Sequence, residues 1–463
     1  MLELSNIRKA YFLGIGGIGM SAIARYFSTL GITVCGYDRT ATELTRALAR
    51  EGMQIWYDDD PALIPDGIDL VVLTPAVPAS HRGLQYFRER GYPIRKRAEV
   101  LGLISRNRRC IAIAGTHGKT STSSLCAHLM RASGVDATAF VGGLALNLGG
   151  NYAQGSSEWV VVEADEFDRS FLHLRPEAAC INSTDPDHLD IYGDHQTMLE
   201  GFADFAALTH PQGLLLLRQG IALPLRPRPA YTLSFGIDTG DICARNLRAE
   251  RGYMAFDLQL PDFAGVSGRR YDGLRMTFPG RYNVENAAAA AALALYSGAD
   301  PDAIPDALLQ FAGVKRRFEF VYRDNERVMV DDYAHHPTEL RAAIEAMRAL
   351  FPDMRLTGVF QPHLYSRTRD FAQGFAEALD LLDECALLDI YPAREQPIPG
   401  VSSDIIAQHM RRSPARISPK ERLPEYIADR KPQALIMLGA GDIDTLVQPV
   451  LDIIRQQTRN ATS

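Results

Sequence analysis

Cys110–Met130, CIAIAGTHGKTSTSSLCAHLM, is the stretch that decides the fold. An apolar run of strand character meets a short loop, Gly115-Thr116-His117-Gly118-Lys119-Thr120, and a helical pattern follows at once. Strand, glycine-rich loop and helix in that order make a phosphate cradle, because the loop N–H groups and the positive end of the helix converge on an anion. Lys119 is spaced to reach the β- and γ-phosphates of a nucleoside triphosphate, and the Thr120 hydroxyl to ligate Mg2+. Ser121 continues the cradle into the first helical turn. Ile113 stands where the general phosphate-loop formula has its first glycine, so this is the shorter GT-x-GKT kind.

A triphosphate needs a metal, and the metal needs a second anchor. EWVVVEADEFDRS (158–170) supplies one: Glu163 follows an apolar strand, where a parallel sheet opens its crevice, and carboxylate oxygen suits Mg2+. Asp165, Glu166 and Asp168, just beyond, read as a solvated acidic loop. INSTDPDHLDIYG (181–193) places Asp187 and His188 after a further strand, and His188 is either a ligand near the phosphate loop or a structural histidine.

Upstream, GIGGIGM (14–20) repeats the logic with a different fingerprint. Gly14, Gly16 and Gly19 form G-x-G-x-x-G with Gly17 between, and Asp38 ends the next apolar run, ITVCGYD. The glycines permit a tight turn, close approach of a pyrophosphate to the backbone, and close helix packing. Taken alone, this stretch favours a nicotinamide-dependent oxidoreductase, with Asp38 on a ribose or merely ending its strand. That reading leaves GTHGKT and Glu163 without purpose; a nucleotide switch or partner-binding protein, conversely, needs the phosphate loop but no fitted substrate domain.

Along the 463 residues, short strand-like runs alternate with helical stretches three times over. The expectation is an α/β protein of three tandem domains. Residues 1–104 form a Rossmann-like domain, 105–314 a central P-loop ATPase-like parallel sheet, and 315–463 a second Rossmann-like domain. SRNRRC (105–110) marks the first boundary, an antiparallel piece is expected near 242–278, and NVENAAAAAALALYSG closes the second region as a helix. A net charge of −7, from 49 basic and 56 acidic residues without a basic run, argues against nucleic acid. Six scattered cysteines without metal-ligand spacing read as reduced core thiols. With no basic leader and no apolar run near membrane-spanning length, a cytoplasmic protein with no membrane partner is expected.

GTHGKTSTSS, EADEFDRSF, DPDHLDIYG, GRYNVENAAAA, RRFE and DDYAHHPTE, in this order over nearly the whole chain, resemble the Mur ligases. The resemblance implies an ATP-dependent amide ligase that activates a carboxylate as an acyl phosphate and yields ADP and phosphate. The GIGGIGM start and FQPHLYSRT (360–368) imply, within that family, the joining of L-alanine to the lactyl carboxylate of UDP-N-acetylmuramic acid in peptidoglycan precursor synthesis. A family activity that adds a tripeptide to the same sugar is the nearest rival. Residue by residue, Lys119 and Thr120 keep their phosphate and Mg2+ roles, and Glu163 and His188 become magnesium ligands. Asn283 and Asn286 resemble a pair that meets adenine, helix capping by Asn283 being the alternative; the family's usual histidine before the first Asn is Tyr282 here. Arg317 and Asp332 resemble contacts to the γ-phosphate and ribose, and an interdomain salt bridge is the alternative for Arg317. His335, His336, His363, Tyr365 and Arg367 lie in segments resembling the amino-acid-facing wall, where packing is an equal alternative. The glycines at 14, 16, 17 and 19 then face the diphosphate of UDP, with Thr74, Pro75, Ala76 and Arg97 lining the same crevice.

Overall fold

The computed structural model describes residues 4–186, 192–224, 227–250, 252–393 and 395–462. Two compact units divide the chain: Met1–Asn246 with Phe256–Leu274 and Tyr282–Ala312, and Leu247–Ala255 with Arg275–Arg281 and Gly313–Ser463.

Helices alternate with strands as the hydrophobic pattern demands, and the strands assemble into three sheets, giving the three tandem α/β regions expected. The first sheet has five parallel strands, in the order Gln54–Trp56, Thr33–Tyr37, Lys9–Leu13, Leu70–Leu73, Ile94–Lys96. Its central strand, Lys9–Leu13, runs into GIGGIGM with chain order reversing on either side, which is where an open α/β sheet leaves a ligand crevice.

The second sheet is built around Arg109–Ala114, which is flanked in parallel by Ala178–Ile181 and Trp159–Glu163. Ile113 pairs with Glu163 and Ala114 with Ile181. Register therefore delivers the phosphate loop, Glu163 and the Asn182–Ser183 strand end to one edge of the sheet. Thr138–Ala145 extends it beyond Trp159–Glu163, and Leu214–Arg218 beyond Ala178–Ile181. The third sheet, in the order Glu319–Arg323, Val328–Asp332, Ala434–Leu438, Leu356–Phe360, Glu384–Leu388, Ala415–Ile417, is parallel except at its first pair.

One apolar core joins the first two sheets: Phe12, Phe27 and Val72 share a cluster with Ala112, Val162, Ile181 and Phe202. The alanine run of the helix Arg281–Tyr296 is buried from Ala287 to Ala292, so these small side chains serve close packing as well as helix propensity. All six cysteines are free, five of them buried, as expected of core thiols. No helix among the described residues is long and apolar enough to cross a membrane.

The third sheet buries a carboxyl at a cost. Asp331 is 2% exposed, its Oδ1 meets no hydrogen-bond donor, and Arg316 Nε approaches Oδ2 only to 3.5 Å. Burial raises this acid from 3.8 to about 7, against the pull of Arg316. The folded state thus binds more protons than the unfolded between those values, and stability falls as pH rises through that window. Asp331→Asn removes the titration, so its melting temperature should fall less than the wild type's between about pH 5 and about pH 8, by roughly 2–5 °C. Parallel thermal melts check this, and equal pH dependence would remove Asp331 as the source.

Candidate active site

The phosphate loop has the conformation its glycines permit. Gly115 and Gly118 sit at φ +133° and +81°, backbone that side-chain-bearing residues rarely adopt. The loop is laced to the neighbouring strand end: Thr116 N–H donates to Ser183 O at 3.1 Å and His117 N–H to Ser183 Oγ at 2.7 Å. The buried Thr116 hydroxyl lies 2.8 Å from Ser183 Oγ and accepts from Asp185 N–H, so this side chain braces the loop. The helix Lys119–Ala132 starts at Gly118 with no side-chain cap, which leaves its first N–H groups, Ser121's turn included, to an incoming anion.

A Cβ on Gly118 would stand 2.9 Å from Asn286 Oδ1 and 3.0 Å from Asn182 Nδ2. Gly118→Ala should therefore strain the loop by about 1–2 kcal/mol and displace the asparagines. The expected result is a KM for nucleotide raised about tenfold with a small loss in melting temperature; an unchanged KM would show that the loop has slack.

Asn283 and Asn286 are both buried on one helix face, Asn286 Nδ2 donating to Asn283 Oδ1 at 3.2 Å. Asn283 lies inside the helix Arg281–Tyr296, not at its cap, which removes the capping alternative. Its pair-mate borders Gly118, so the pair abuts the phosphate loop.

Thr120 Oγ1 donates to Glu163 Oε1 at 3.0 Å, and Gly142 N–H to Glu163 Oε2 at 2.7 Å. Burial lifts the Glu163 carboxyl above its ordinary range, opposed first by the charge on Lys119. Two hard oxygen donors side by side at the loop mouth fit Mg2+. His188, the third expected ligand, lies with Asp187 outside the described residues.

The acidic segment after Glu163 is solvated at Asp168, which is exposed, but not at Glu166. Glu166 is 1% exposed and binds Lys119 Nζ through both oxygens, at 2.8 Å each. Asp165 pairs with Arg97 at 3.0 Å and Asp168 with Lys96 at 2.9 Å. Each carboxylate in EADEFD thus has its own partner, and charge alternation in the sequence could not say which.

At the first glycine loop, Gly14 (φ +83°) leaves room for Thr74, whose Cγ2 lies 2.5 Å from where a Cβ would be; Pro75 and Ala76 complete that turn, closed by Val77 N–H to Thr74 O. Gly17 is the N-cap of the helix Ile18–Thr29, again without a side-chain cap. Asp38 directly follows the strand Thr33–Tyr37, and its Oδ2 accepts the Gly16 N–H at 2.8 Å, which braces the glycine turn. Gly19 admits Arg97, whose Nη1 would lie 2.6 Å from a Cβ there. Gly19 and Arg97 line a cleft of about 260 Å³ together with Gly142, Glu163 and Asp165.

In the C-terminal unit, Asp332 is buried and receives Phe318 N–H at 2.8 Å and Ala334 N–H at 2.7 Å, so it holds the RRFE turn. Burial raises it to about 6. The guanidinium carbons of Arg316 and Arg317 both lie over the Tyr333 ring, at 5.1 and 5.3 Å. Sequence reading had singled out neither Tyr333 nor Arg316. His335 and His363 come together, ring centroids 6.1 Å apart, with His363 stacked on Tyr391. Burial lowers the His335 pKa, opposed by Glu339 and assisted by Arg367 and Arg317. Tyr365 and Arg367 share the short helix Tyr365–Asp370. His336 is the N-cap of the helix Pro337–Leu350, its Nδ1 accepting Thr338 N–H, which is a structural post.

A phosphate loop carrying Lys-Thr beside a strand-end carboxylate, with Gly19 of a second glycine loop lining the same cleft as that carboxylate, defines a nucleotide-dependent α/β enzyme. The chain belongs to the Mur ligase family: the Mur ligase family catalytic domain matches residues 9–109, the Mur ligase middle domain 113–294, and the Mur ligase glutamate ligase domain 316–443. It is 45% identical, over 99% of its length and 100% of the relative's, to the UDP-N-acetylmuramate--L-alanine ligase of Parabacteroides distasonis. The enzyme of that name from Cytophaga hutchinsonii is 43% identical over 98% and 99% of the two chains. The crystal structure of the UDP-N-acetylmuramate-alanine ligase of Thermotoga maritima superposes with a TM-score of 0.82 at 28% identity, covering 97% of this chain and 99% of that one.

Proposed function

We infer that this chain is the ligase that joins L-alanine to the lactyl carboxylate of UDP-N-acetylmuramic acid, in peptidoglycan precursor synthesis, with ATP converted to ADP and phosphate. The observation that carries it is the shared cleft, lined by Gly19 and Arg97 together with Glu163. A substrate with a diphosphate at one end and a carboxylate to be activated at the other needs these groups within reach of each other.

A carboxylate does not acylate an amine at neutral pH, so it must first take a phosphoryl group. In this reading the first glycine loop and Arg97 hold the UDP diphosphate, and the loop Gly115–Ser121 holds the ATP phosphates. Lys119 offsets negative charge as the carboxylate oxygen attacks the γ-phosphorus in line and ADP departs. Thr120 and Glu163 would hold Mg2+, which supplies Lewis-acid stabilisation of the phosphoryl oxygens when bound. The amine of L-alanine then attacks the acyl carbon, and loss of phosphate and of one amine proton leaves the amide. We assign Asn283 and Asn286 to the nucleotide, Arg317 and Asp332 to its phosphate and ribose side, and the wall of His335, His363, Tyr365 and Arg367 to the amino acid. The division into regions 1–104, 105–314 and 315–463 matches these tasks. A cytoplasmic location suits an enzyme whose substrates are nucleotides.

The test mixes protein, ATP, Mg2+, UDP-N-acetylmuramic acid and L-alanine and follows ADP and phosphate. Release should require both the sugar nucleotide and L-alanine. Release with neither, or release supported only when L-alanine is replaced by a tripeptide, would sink the reading.

A further inference from the structure

The geometry points to Glu166 as the positioning residue for Lys119, a carboxylate that aims the ammonium at the mouth of the phosphate loop and must share it with the nucleotide. An ammonium has three N–H donors. All three are taken here: Lys119 Nζ donates to Gly115 O at 2.7 Å and to both Glu166 oxygens at 2.8 Å. A phosphate oxygen can reach Nζ only by replacing one of these acceptors. The pair is inside the protein, with 16% of the lysine side chain and 1% of the glutamate exposed, so the attraction is little screened.

The chain around Glu166 is held unusually firmly. Tyr192 Oη donates to Glu166 O at 2.7 Å, and Arg169 N–H to the same oxygen at 3.0 Å. Asp168 and Arg169, both non-glycine, sit at φ +52° and +53°, two successive left-handed residues that reverse the chain just after it. Such backbone persists only where its surroundings dictate it, and it clusters at functional positions. Asp165 and Asp168 anchor the same turn to Arg97 and Lys96. Glu166 therefore projects from a fixed frame onto the phosphate loop's own cation, Lys119.

Without the carboxylate, the ammonium still binds phosphate in the ground state, freed of a competitor, but loses its fixed direction. Glu166→Gln should lower kcat about 10- to 100-fold while the Kd for ATP, read by calorimetry without sugar or amino acid, stays equal or falls. Glu166→Asp keeps the charge on a shorter arm and should recover part of kcat. Because Glu166 acts through Lys119, adding Glu166→Gln to Lys119→Ala should change kcat by less than about threefold. If Glu166→Gln gives no folded protein, Glu166→Asp enters the same cycle. Wild-type kcat in the single variant, a raised Kd for ATP, or an equal fall in both backgrounds would each overturn the assignment. The inference rests on the ligase reading: absence of wild-type turnover in the same assay would fail both, whereas normal turnover with an indifferent Glu166 fails this one alone.

Discussion

Lys119→Ala is expected to lower kcat by about 10³-fold or more, with KM for the sugar nucleotide and L-alanine nearly unchanged. The ammonium sits where negative charge accumulates as the γ-phosphoryl group transfers, so its loss falls on the transition state more than on bound substrate. A loss of that size is about 4 kcal/mol of stabilisation, within reach of one charged donor in a site shielded from water. The substitution has a second consequence. It takes the cation away from Glu166, a carboxylate 1% exposed, and removing one partner of a buried pair typically costs about 3–5 kcal/mol of stability. The melting temperature of Lys119→Ala should therefore drop by several degrees, and Lys119→Ala with Glu166→Gln should recover most of the drop without recovering kcat. Thermal melts and steady-state kinetics on the two variants separate the roles of charge. Wild-type turnover in Lys119→Ala would refute its place in catalysis.

The parts of the site legible in the sequence are those whose chemistry is local to the chain. Gly115, Gly118, Lys119 and Thr120 occupy one strand-loop-helix turn, and their spacing alone fixes what they can hold. Glu163 was legible as well, because a carboxylate at the end of an apolar strand in an α/β pattern falls on the sheet edge where the crevice opens. What stayed hidden depends on which distant segments meet. Ser183 braces His117 from 66 residues away and Glu166 meets Lys119 across 47; a polar pair directly after the buried strand Ala178–Ile181 was the only trace of the first. Asp38 shows a further limit. Its position matches a ribose-binding acid, and its carboxylate also accepts Gly16 N–H, a brace on the glycine turn that a spacing rule does not reveal. The same rule read a nicotinamide cofactor into GIGGIGM, when the glycines report only that an anion can approach the backbone. In the C-terminal unit, Tyr333 with two guanidiniums over its ring escaped notice because aromatic residues are ordinary strand-end material.

Glu163→Gln is the second large effect. The glutamine keeps the volume and one oxygen beside Thr120, but the charge that would balance Mg2+ is gone. We expect kcat to fall about 10²-fold and the Mg2+ concentration for half-maximal rate to rise at least tenfold, since carboxylate charge sets much of the affinity of an oxygen site. Stability should move little, or rise. Burial works against the ionised Glu163 carboxyl, and a neutral amide can still accept from Gly142 N–H or Thr120 Oγ1. A companion variant reaches the same carboxylate from the other side: a Cβ on Gly142 would stand 2.2 Å from Glu163 Oε1, so Gly142→Ala must push the side chain out of place while leaving its charge intact. If Glu163 works as a placed metal ligand, Gly142→Ala should also raise the Mg2+ requirement, and raising Mg2+ should restore more of its rate than that of Glu163→Gln, because the displaced carboxylate can still be drawn to the ion. If Glu163 instead serves only to hold Thr120, both variants should lose rate at every Mg2+ concentration with no shift in the half-maximal value. Magnesium titrations of the two variants against wild type, with melting curves to confirm folding, decide between these outcomes.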